Sequence, residues 1–277
     1  MKPLFELENK VAIITGGAGL LGLKHAEAIA EIGGIPVLLD VDERKSKTQV
    51  QTIIDSYYVH ASCYTCDITL YQEVYKVFDK VLEKFGRIDI LINNAAIDSK
   101  VENKDITKNS SRLENLDLNS WQNEFDVGVT GTFICSYIFG SFMAKQEHGV
   151  IINIGSDLAF IAPNQNIYTN NTINEDERPV KPFSYSVVKH SIVGLSKYFS
   201  GRFAPYGVRV NLLAPGGVWN KKLSNDFVNQ LVELIPIGRM ADQDDYKGAI
   251  QFLCSDASAY MTGASLLVDG GKTTGSV

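Results

Sequence analysis

Val11-Ala12-Ile13-Ile14-Thr15-Gly16-Gly17-Ala18-Gly19-Leu20-Leu21-Gly22 decides how the rest of the chain is read. The first five residues form a continuous apolar run that stops at glycine, the pattern of a strand buried on both faces of a parallel sheet. Beyond the glycines, Leu23, Ala26, Ile29 and Ala30 recur at helical spacing. Strand, glycine turn and helix in that order form a setting that receives pyrophosphate. The backbone approaches closely where side chains are absent, and the helix N-terminus offers N–H groups and the positive end of its dipole. A plain βα turn without ligand fits the same residues, and the glycines alone do not separate the two.

The alternation continues outward. Residues 36–40 read as a second strand ending on Asp40, a little over twenty residues past the glycines. On a dinucleotide-binding turn such an acid accepts hydrogen bonds from the adenosine ribose and repels a 2′-phosphate. No Arg or Lys stands in the turn, and Arg44 and Lys45 come only after Asp42 and Glu43. NAD is therefore expected in preference to NADP. A helix over 44–56 and a strand over 59–66 lead to Asp67-Ile68, where Asp67 suits either an adenine amino group or the cap of a helix starting near Leu70. That helix closes at Gly86, and residues 88–92 form a fourth strand running into Asn93-Asn94-Ala95-Ala96.

Residues 97–118 read as a polar loop. Trp121, Phe125, Val129, Phe133 and Tyr137 then mark one long helix reaching Ala144. The fifth strand, 150–154, ends at Gly155-Ser156, which puts a hydroxyl at the carboxyl end where α/β sheets bind ligands. Residues 163–182 form a proline-bounded, asparagine-rich loop over that crevice. A sixth strand over 208–213 breaks at Pro215-Gly216-Gly217, helices follow at 227–234 and 246–254, and a last strand at 266–268 closes on Asp269-Gly270-Gly271. The expected fold is a single Rossmann-type domain over 1–277: a doubly wound parallel α/β sheet of about seven strands with helices on both faces.

Composition narrows the function. A 277-residue chain that is 45% hydrophobic and 21% charged suits a globular protein with a sizeable core. The net charge of −6 argues against nucleic acid or an anionic membrane as partner. The start lacks a signal-peptide core and no uninterrupted apolar run approaches spanning length, so a cytoplasmic location is expected. Cys63-Tyr64-Thr65-Cys66 has no second Cys or His pair at zinc spacing, and no metal site is expected. It reads as two small residues on a strand, with a redox pair as the alternative. The triplets at 109–111 and 170–172 match glycosylation spacing but lack a secretory context.

The chemistry-bearing stretch is Ser184-Tyr185-Ser186-Val187-Val188-Lys189. Val188, Ile192, Leu195 and Phe199 mark a helix, which places Tyr185 and Lys189 one turn apart on one face. An ammonium beside a phenol favours the phenolate, and such a tyrosine can exchange a proton with an alcohol or carbonyl. Alone, the pair reads equally as a surface lysine beside a half-buried tyrosine.

Taken together, Thr15-Gly16 with its turn, Asp40, Asp67, Asn93-Asn94-Ala95, Ser156, Tyr185/Lys189, Asn211-Leu212-Leu213-Ala214-Pro215-Gly216 and Val268-Asp269-Gly270-Gly271 resemble the short-chain dehydrogenase/reductase family over nearly the whole chain. The resemblance implies an NAD(P)-dependent oxidoreductase that interconverts a secondary alcohol and a ketone. It makes Tyr185 the general acid/base and Ser156 the hydrogen-bonding partner of the substrate oxygen, with Lys189 tuning the tyrosine and holding the nicotinamide ribose. It assigns cofactor contacts to Gly16, Gly19, Leu21, Gly22, Asp40, Asp67, Ile68, Asn94, Ala95, Tyr185, Lys189, Pro215, Gly216 and Val218. It also implies a homotetramer or dimer built on the long helices near 121–144 and 184–203.

Three features depart from the family pattern. Leu20 stands where the single-domain branch has its middle glycine, and the spacing of Gly16, Gly19 and Gly22 matches the extended, sugar-nucleotide branch. Gly128 stands where the family has its tetrad asparagine. The interval from Ser156 to Tyr185 is longer than usual because of the 163–182 loop. Asn164, Gln165, Asn166, Tyr168, Asn170 and Asn171 in that loop suit a hydroxyl-rich small molecule such as a sugar, polyol or sugar nucleotide. The alternatives are a sugar-nucleotide epimerase or dehydratase with retained NAD, and a non-catalytic nucleotide-binding protein.

Overall fold

The computed structural model describes residues 3–97, 112–115, 117–168 and 180–275. The first half of the chain contains β1 (Val11–Thr15), α1 (Leu20–Glu31), β2 (Ile35–Asp40), α2 (Glu43–Tyr57), β3 (Ser62–Thr65), α3 (Tyr71–Phe85) and β4 (Ile90–Asn93). The second half contains α4 (Leu118–Phe125), α5 (Thr132–Lys145), β5 (Gly149–Ile154), α6 (Phe183–Phe203), β6 (Val208–Pro215), α7 (Asn225–Val232), α8 (Lys247–Cys254) and β7 (Ser265–Val268). The seven strands pair in parallel in the order β3-β2-β1-β4-β5-β6-β7. The order reverses between β1 and β4, and a crevice opens there at the carboxyl ends.

Both sheet faces are covered, so β1 is buried at every position. Ile13, Val37, Leu91 and Ile151 point into one layer with Val77, Phe139 and Phe203 of the helices. Their neighbours Ile14, Leu38, Ile92 and Ile152 point into the other, with Ala26 and Ile29 of α1 and Leu253 of α8. Burial of such side chains contributes about 1.5–3 kcal/mol each. Lys247 ties these two helices together through Glu27 at 2.8 Å and Glu31 at 2.7 Å.

Local signals explain most boundaries. Asp42 caps α2 by accepting from the Lys45 N–H at 2.9 Å. α3 closes at Gly86, in the left-handed conformation with its N–H on the Leu82 carbonyl. α7 begins two residues earlier than expected because Ser224 caps it at the Phe227 N–H. Tyr246 lies in a 3₁₀ turn that leads into α8. β3 starts only at Ser62 because Tyr58, in the left-handed conformation, ends α2 and displaces the start of the strand.

Two expectations are corrected here. The expected single helix over 121–144 is broken by a π-helical segment, Asp126–Gly131, between α4 and α5. Within it, a Cβ on Gly128 would collide with Val188 of α6, so glycine admits the close approach of the two helices. One π turn leaves the four-residue aromatic spacing intact, so periodicity does not reveal it. Contrary to expectation from hydropathy, the continuous helical run Leu118–Lys145 holds an 18-residue stretch of mean hydropathy 1.5, long and apolar enough to cross a membrane. More than half of that stretch, 56%, is buried inside the fold, as in the core helix of a globular protein.

Candidate active site

The glycine turn brings the first cluster together. Gly16 has φ +59°, and a Cβ there would stand 2.8 Å from the Ala95 Cα. A Cβ on Gly22 would collide with the Gly16 carbonyl, so only glycine lets α1 sit this close beneath the turn. Gly19 precedes α1 without any side-chain cap, and the first turn holds no acid. The N–H groups there are available to an anion. Asn94 closes the turn from the neighbouring strand, with Nδ2 donating to the carbonyls of Thr15 at 3.0 Å and Gly16 at 3.1 Å.

A cleft of about 460 Å³ lies against this turn, lined by Gly16, Gly19, Leu20, Leu21, Asp40, Asp67, Ile68, Asn94, Ala95 and Val127 among others. Eight of these ten are expected cofactor contacts; Leu20 and Val127 are additions, and Gly22, also expected, packs beneath the turn rather than lining the cleft. Asp40 also holds the turn, accepting from the Ala18 N–H at 2.9 Å and the Asp42 N–H at 3.0 Å. Asp67 lines the cleft but does not cap α3. It accepts from the Thr69 N–H and hydroxyl at 2.9 and 2.7 Å, while its own N–H donates to Glu73 at 2.8 Å. The uncapped helix end, the glycine cradle and the acid at the tip of β2 together fit a dinucleotide.

The second cluster lies at the ends of β5 and β6. Lys189 is 6% exposed, and its Nζ donates to the Ile154 carbonyl at 2.9 Å, two residues before Ser156. The same ammonium lies 5.7 Å from the Tyr185 ring centre. α6 also packs against the 3₁₀ turn Asp157–Ala159 that Ser156 initiates. The sheet edge thus brings Ser156, Tyr185 and Lys189 into one neighbourhood. Pro215 and Gly216 end β6, where Tyr246 donates to the Gly216 carbonyl at 3.2 Å, and Val218 bridges to Ala241. These three do not line the 460 Å³ cleft; Pro215 stands beside Val268 of the last strand.

Some participants were not foreseen. Asp157 and Lys272 form an ion pair at 2.7 Å, and Asp157 accepts from the Ser156 hydroxyl at 2.8 Å. Lys181 lies over the Tyr185 ring at 3.9 Å. The Gln165 amide fixes Lys181 by accepting from its N–H at 2.8 Å and donating to its carbonyl at 3.4 Å. These contacts join two parts of the 163–182 loop; Asn170 and Asn171 lie outside the described residues, as does most of the loop expected over 97–118. His25 is buried beneath the glycine turn with neither ring nitrogen hydrogen-bonded among the described residues. Burial, only partly offset by Asn94 nearby, pushes the imidazole down to about 3.

The cysteine motif is structural. Cys63 and Cys66 pack on opposite faces of the sheet, and burial pushes the Cys66 thiol up to about 12, away from thiolate chemistry. Among the described residues no group of His, Cys, Asp and Glu is placed to hold a metal.

A parallel sheet with a glycine-cradled helix N-terminus and a tyrosine, lysine and serine at its carboxyl edge defines a dinucleotide-dependent oxidoreductase. The family described as short chain dehydrogenase matches residues 10–170, and that described as Enoyl-(Acyl carrier protein) reductase matches 176–273. The chain belongs to the short-chain dehydrogenase/reductase family. It is 30% identical over 97% of its length to a D-threitol dehydrogenase of Mycolicibacterium smegmatis, covering 95% of that protein. It is 28% identical over 96% of its length to a 3-oxoacyl-[acyl-carrier-protein] reductase of Aquifex aeolicus, covering 98%. A gluconate 5-dehydrogenase from Burkholderia cenocepacia J2315, solved with NADP and tartrate, superposes with a TM-score of 0.84 at 29% identity, covering 99% of this chain and 98% of that one.

Proposed function

We propose that this oxidoreductase transfers hydride between NAD and a polar, hydroxylated secondary alcohol such as a sugar, polyol or sugar nucleotide. The observation that carries the reading is that Lys189, through the Ile154 carbonyl, ties the Tyr185 helix to the strand end bearing Ser156, beside a cleft running from the glycine turn. The nicotinamide, when bound, supplies or accepts the hydride. Tyr185 takes the alcohol proton in oxidation and returns it to the carbonyl oxygen in reduction. Ser156 holds that oxygen by a hydrogen bond, and Lys189 stabilises the tyrosinate by its charge.

Asp40 supports NAD over NADP, since a 2′-phosphate would meet a carboxylate that already holds the turn. The relatives named for threitol and gluconate support a polyol or sugar substrate, while the acyl-carrier relative and the NADP-bound neighbour mark the rival choices. Gly128 supports no loss of activity by itself. Its carbonyl accepts from the Thr132 hydroxyl at 2.7 Å, and the π segment keeps backbone close to α6 where the family has its asparagine. The protein is read as one catalytic domain over 1–277, acting in the cytoplasm as a homo-oligomer. Exposed Phe133 and Tyr137 of α5 and Val187 and Tyr198 of α6 suit a helix-to-helix interface between copies.

A screen of NAD and NADP against polyols, sugars and sugar nucleotides, followed by the absorbance of the reduced cofactor, tests the reading. Turnover of a polyhydroxylated substrate with NAD is expected. Turnover confined to apolar ketones or acyl thioesters, or a preference for NADP, would overturn the substrate or cofactor assignment.

A further inference from the structure

The hydrogen bond between Ser156 and Asp157 has a definite direction. An ionised carboxylate only accepts, so the proton in the 2.8 Å contact belongs to the Ser156 hydroxyl. Asp157 Oδ1 also accepts from the Leu158 N–H at 2.8 Å, and that N–H lies 3.2 Å from Ser156 Oγ. Asp157 Oδ2 accepts from Lys272 Nζ at 2.7 Å. Asp157 is 4% exposed and the Lys272 side chain 10%, so this ion pair is largely shielded from water. Lys272 is itself held. Asp269, at the end of β7, accepts from the Gly271 N–H at 3.0 Å and the Thr273 N–H at 2.7 Å, which fixes the turn on either side.

We propose that Lys272, in the last segment of the chain, offsets the charge of Asp157 and so keeps the acid beside Ser156 from opposing the reaction at the serine hydroxyl; this rests on the reading of Ser156 and Tyr185 given above. With its proton committed inward, Ser156 presents lone pairs to the cleft and receives the hydroxyl of a bound alcohol. For a ketone, the serine hydroxyl turns outward to donate, and Asp157 keeps the Leu158 N–H and Lys272 as partners. Without the ammonium, an uncompensated carboxylate would stand one residue from the donor that must stabilise negative charge developing on the substrate oxygen. Lys272 makes an acidic neighbour of the serine compatible with hydride delivery to a carbonyl.

The test uses the full-length enzyme, with the small diketone 2,3-butanedione and NADH as probe. Lys272→Met is expected to lower kcat about tenfold to a hundredfold, the range for disturbing one oxyanion donor. The NADH dissociation constant, read by fluorescence, should change less than about twofold, because the pair lies away from the glycine cradle. Lys272→Arg should retain most of the rate. The double variant Asp157→Asn/Lys272→Met removes both charges and is expected to recover kcat to within a few-fold of wild type. A Lys272→Met enzyme with unchanged kcat, or a folded double variant as slow as Lys272→Met, would overturn the proposal. If Lys272→Met does not fold, the double variant decides alone: retained turnover supports charge compensation and lost turnover refutes it. Ser156→Ala and Tyr185→Phe separate the two levels. If both keep the wild-type rate, or wild type reduces no probe with either cofactor, the reading of the site fails and takes the inference with it. If both lose rate while Lys272→Met keeps it, only the inference fails.

Discussion

The two ends of one sheet hold similar residue types put to opposite uses. The amino end, beside the first residues of β1, β4, β5 and β6, carries the larger cavity, about 560 Å³, with Lys10, Asp89, His148 and Arg209 in its wall. The carboxyl end carries the smaller cleft of about 460 Å³. Size points to the wrong end, and chemistry points to the other. At the amino end the charges are occupied by structural contacts. Asp89 accepts from the Val11 N–H at 2.9 Å, from Arg87 Nε at 2.8 Å and from Lys10 at 3.4 Å. Arg209 is spent on Ser258 and on the carbonyls of Leu253 and Ser255. At the carboxyl end a helix begins without a cap and a serine faces an acid rather than a backbone partner alone. A group whose bonds are all satisfied internally has little left to offer a substrate, and the uncapped N–H groups opening α1 favour the carboxyl end as the proposed site.

The contrast breaks if the carboxyl end proves dispensable. Tyr185→Phe is expected to reduce hydride transfer by about a hundredfold to ten-thousandfold while cofactor affinity stays within a few-fold. Stopped-flow absorbance and a fluorescence titration measure the two quantities. Asp89→Ala should do the reverse, costing about 1–3 kcal/mol of stability by leaving the buried Val11 N–H without its acceptor, with kcat at permissive temperature little changed. Burial alone would raise the Asp89 carboxyl, but Arg87, the Val11 N–H and Lys10 together hold it below the usual carboxylate range. Its contribution is therefore present above the unfolded-state value and is lost as pH falls through the lower folded one. The acid limb of thermal stability should flatten in Asp89→Ala, as read by calorimetry.

His25 sharpens the comparison from beneath the glycine turn. Its folded-state value of about 3 lies far below its ordinary 6.5. The neutral ring is favoured in the fold, so stability is complete above about 6.5 and declines as pH falls toward 3. His25→Leu should reduce that decline between pH 6.5 and 4.5 in melting-temperature scans, and an unchanged slope would show that the ring is solvated. The smallest effect is expected at Asp40. Asp40→Ala should weaken NAD about tenfold or less and narrow the preference over NADP, since one ribose contact and one turn contact are lost. Ratios of kcat/KM for the two cofactors measure it.

The features legible in the sequence are those that depend on near neighbours in the chain. The apolar runs of β1 and β4, the left-handed Gly86 and the glycines that admit α1 all follow from local sterics and period. So does the arrangement of Tyr185 and Lys189 on one helix. What was not legible depends on contacts across long sequence separations. Lys272 meets Asp157 only because β7 lies beside β6 and ends near β5, a consequence of strand order. The π segment lies where Gly128 faces Val188, a pairing no spacing rule supplies. His25 lies next to Ala26 on α1, and nothing in its spacing marks it as buried.

The most direct trial is a crystal structure with NAD bound. The dinucleotide should lie along the carboxyl edge, its pyrophosphate on the Gly16–Leu21 turn, its adenosine ribose at Asp40 and its nicotinamide between Lys189 and Ser156, with the Tyr185 hydroxyl turned toward it. Density for the nucleotide at the amino end beside His148 and Arg209, or a Tyr185 hydroxyl directed away from the nicotinamide, would contradict the assignment.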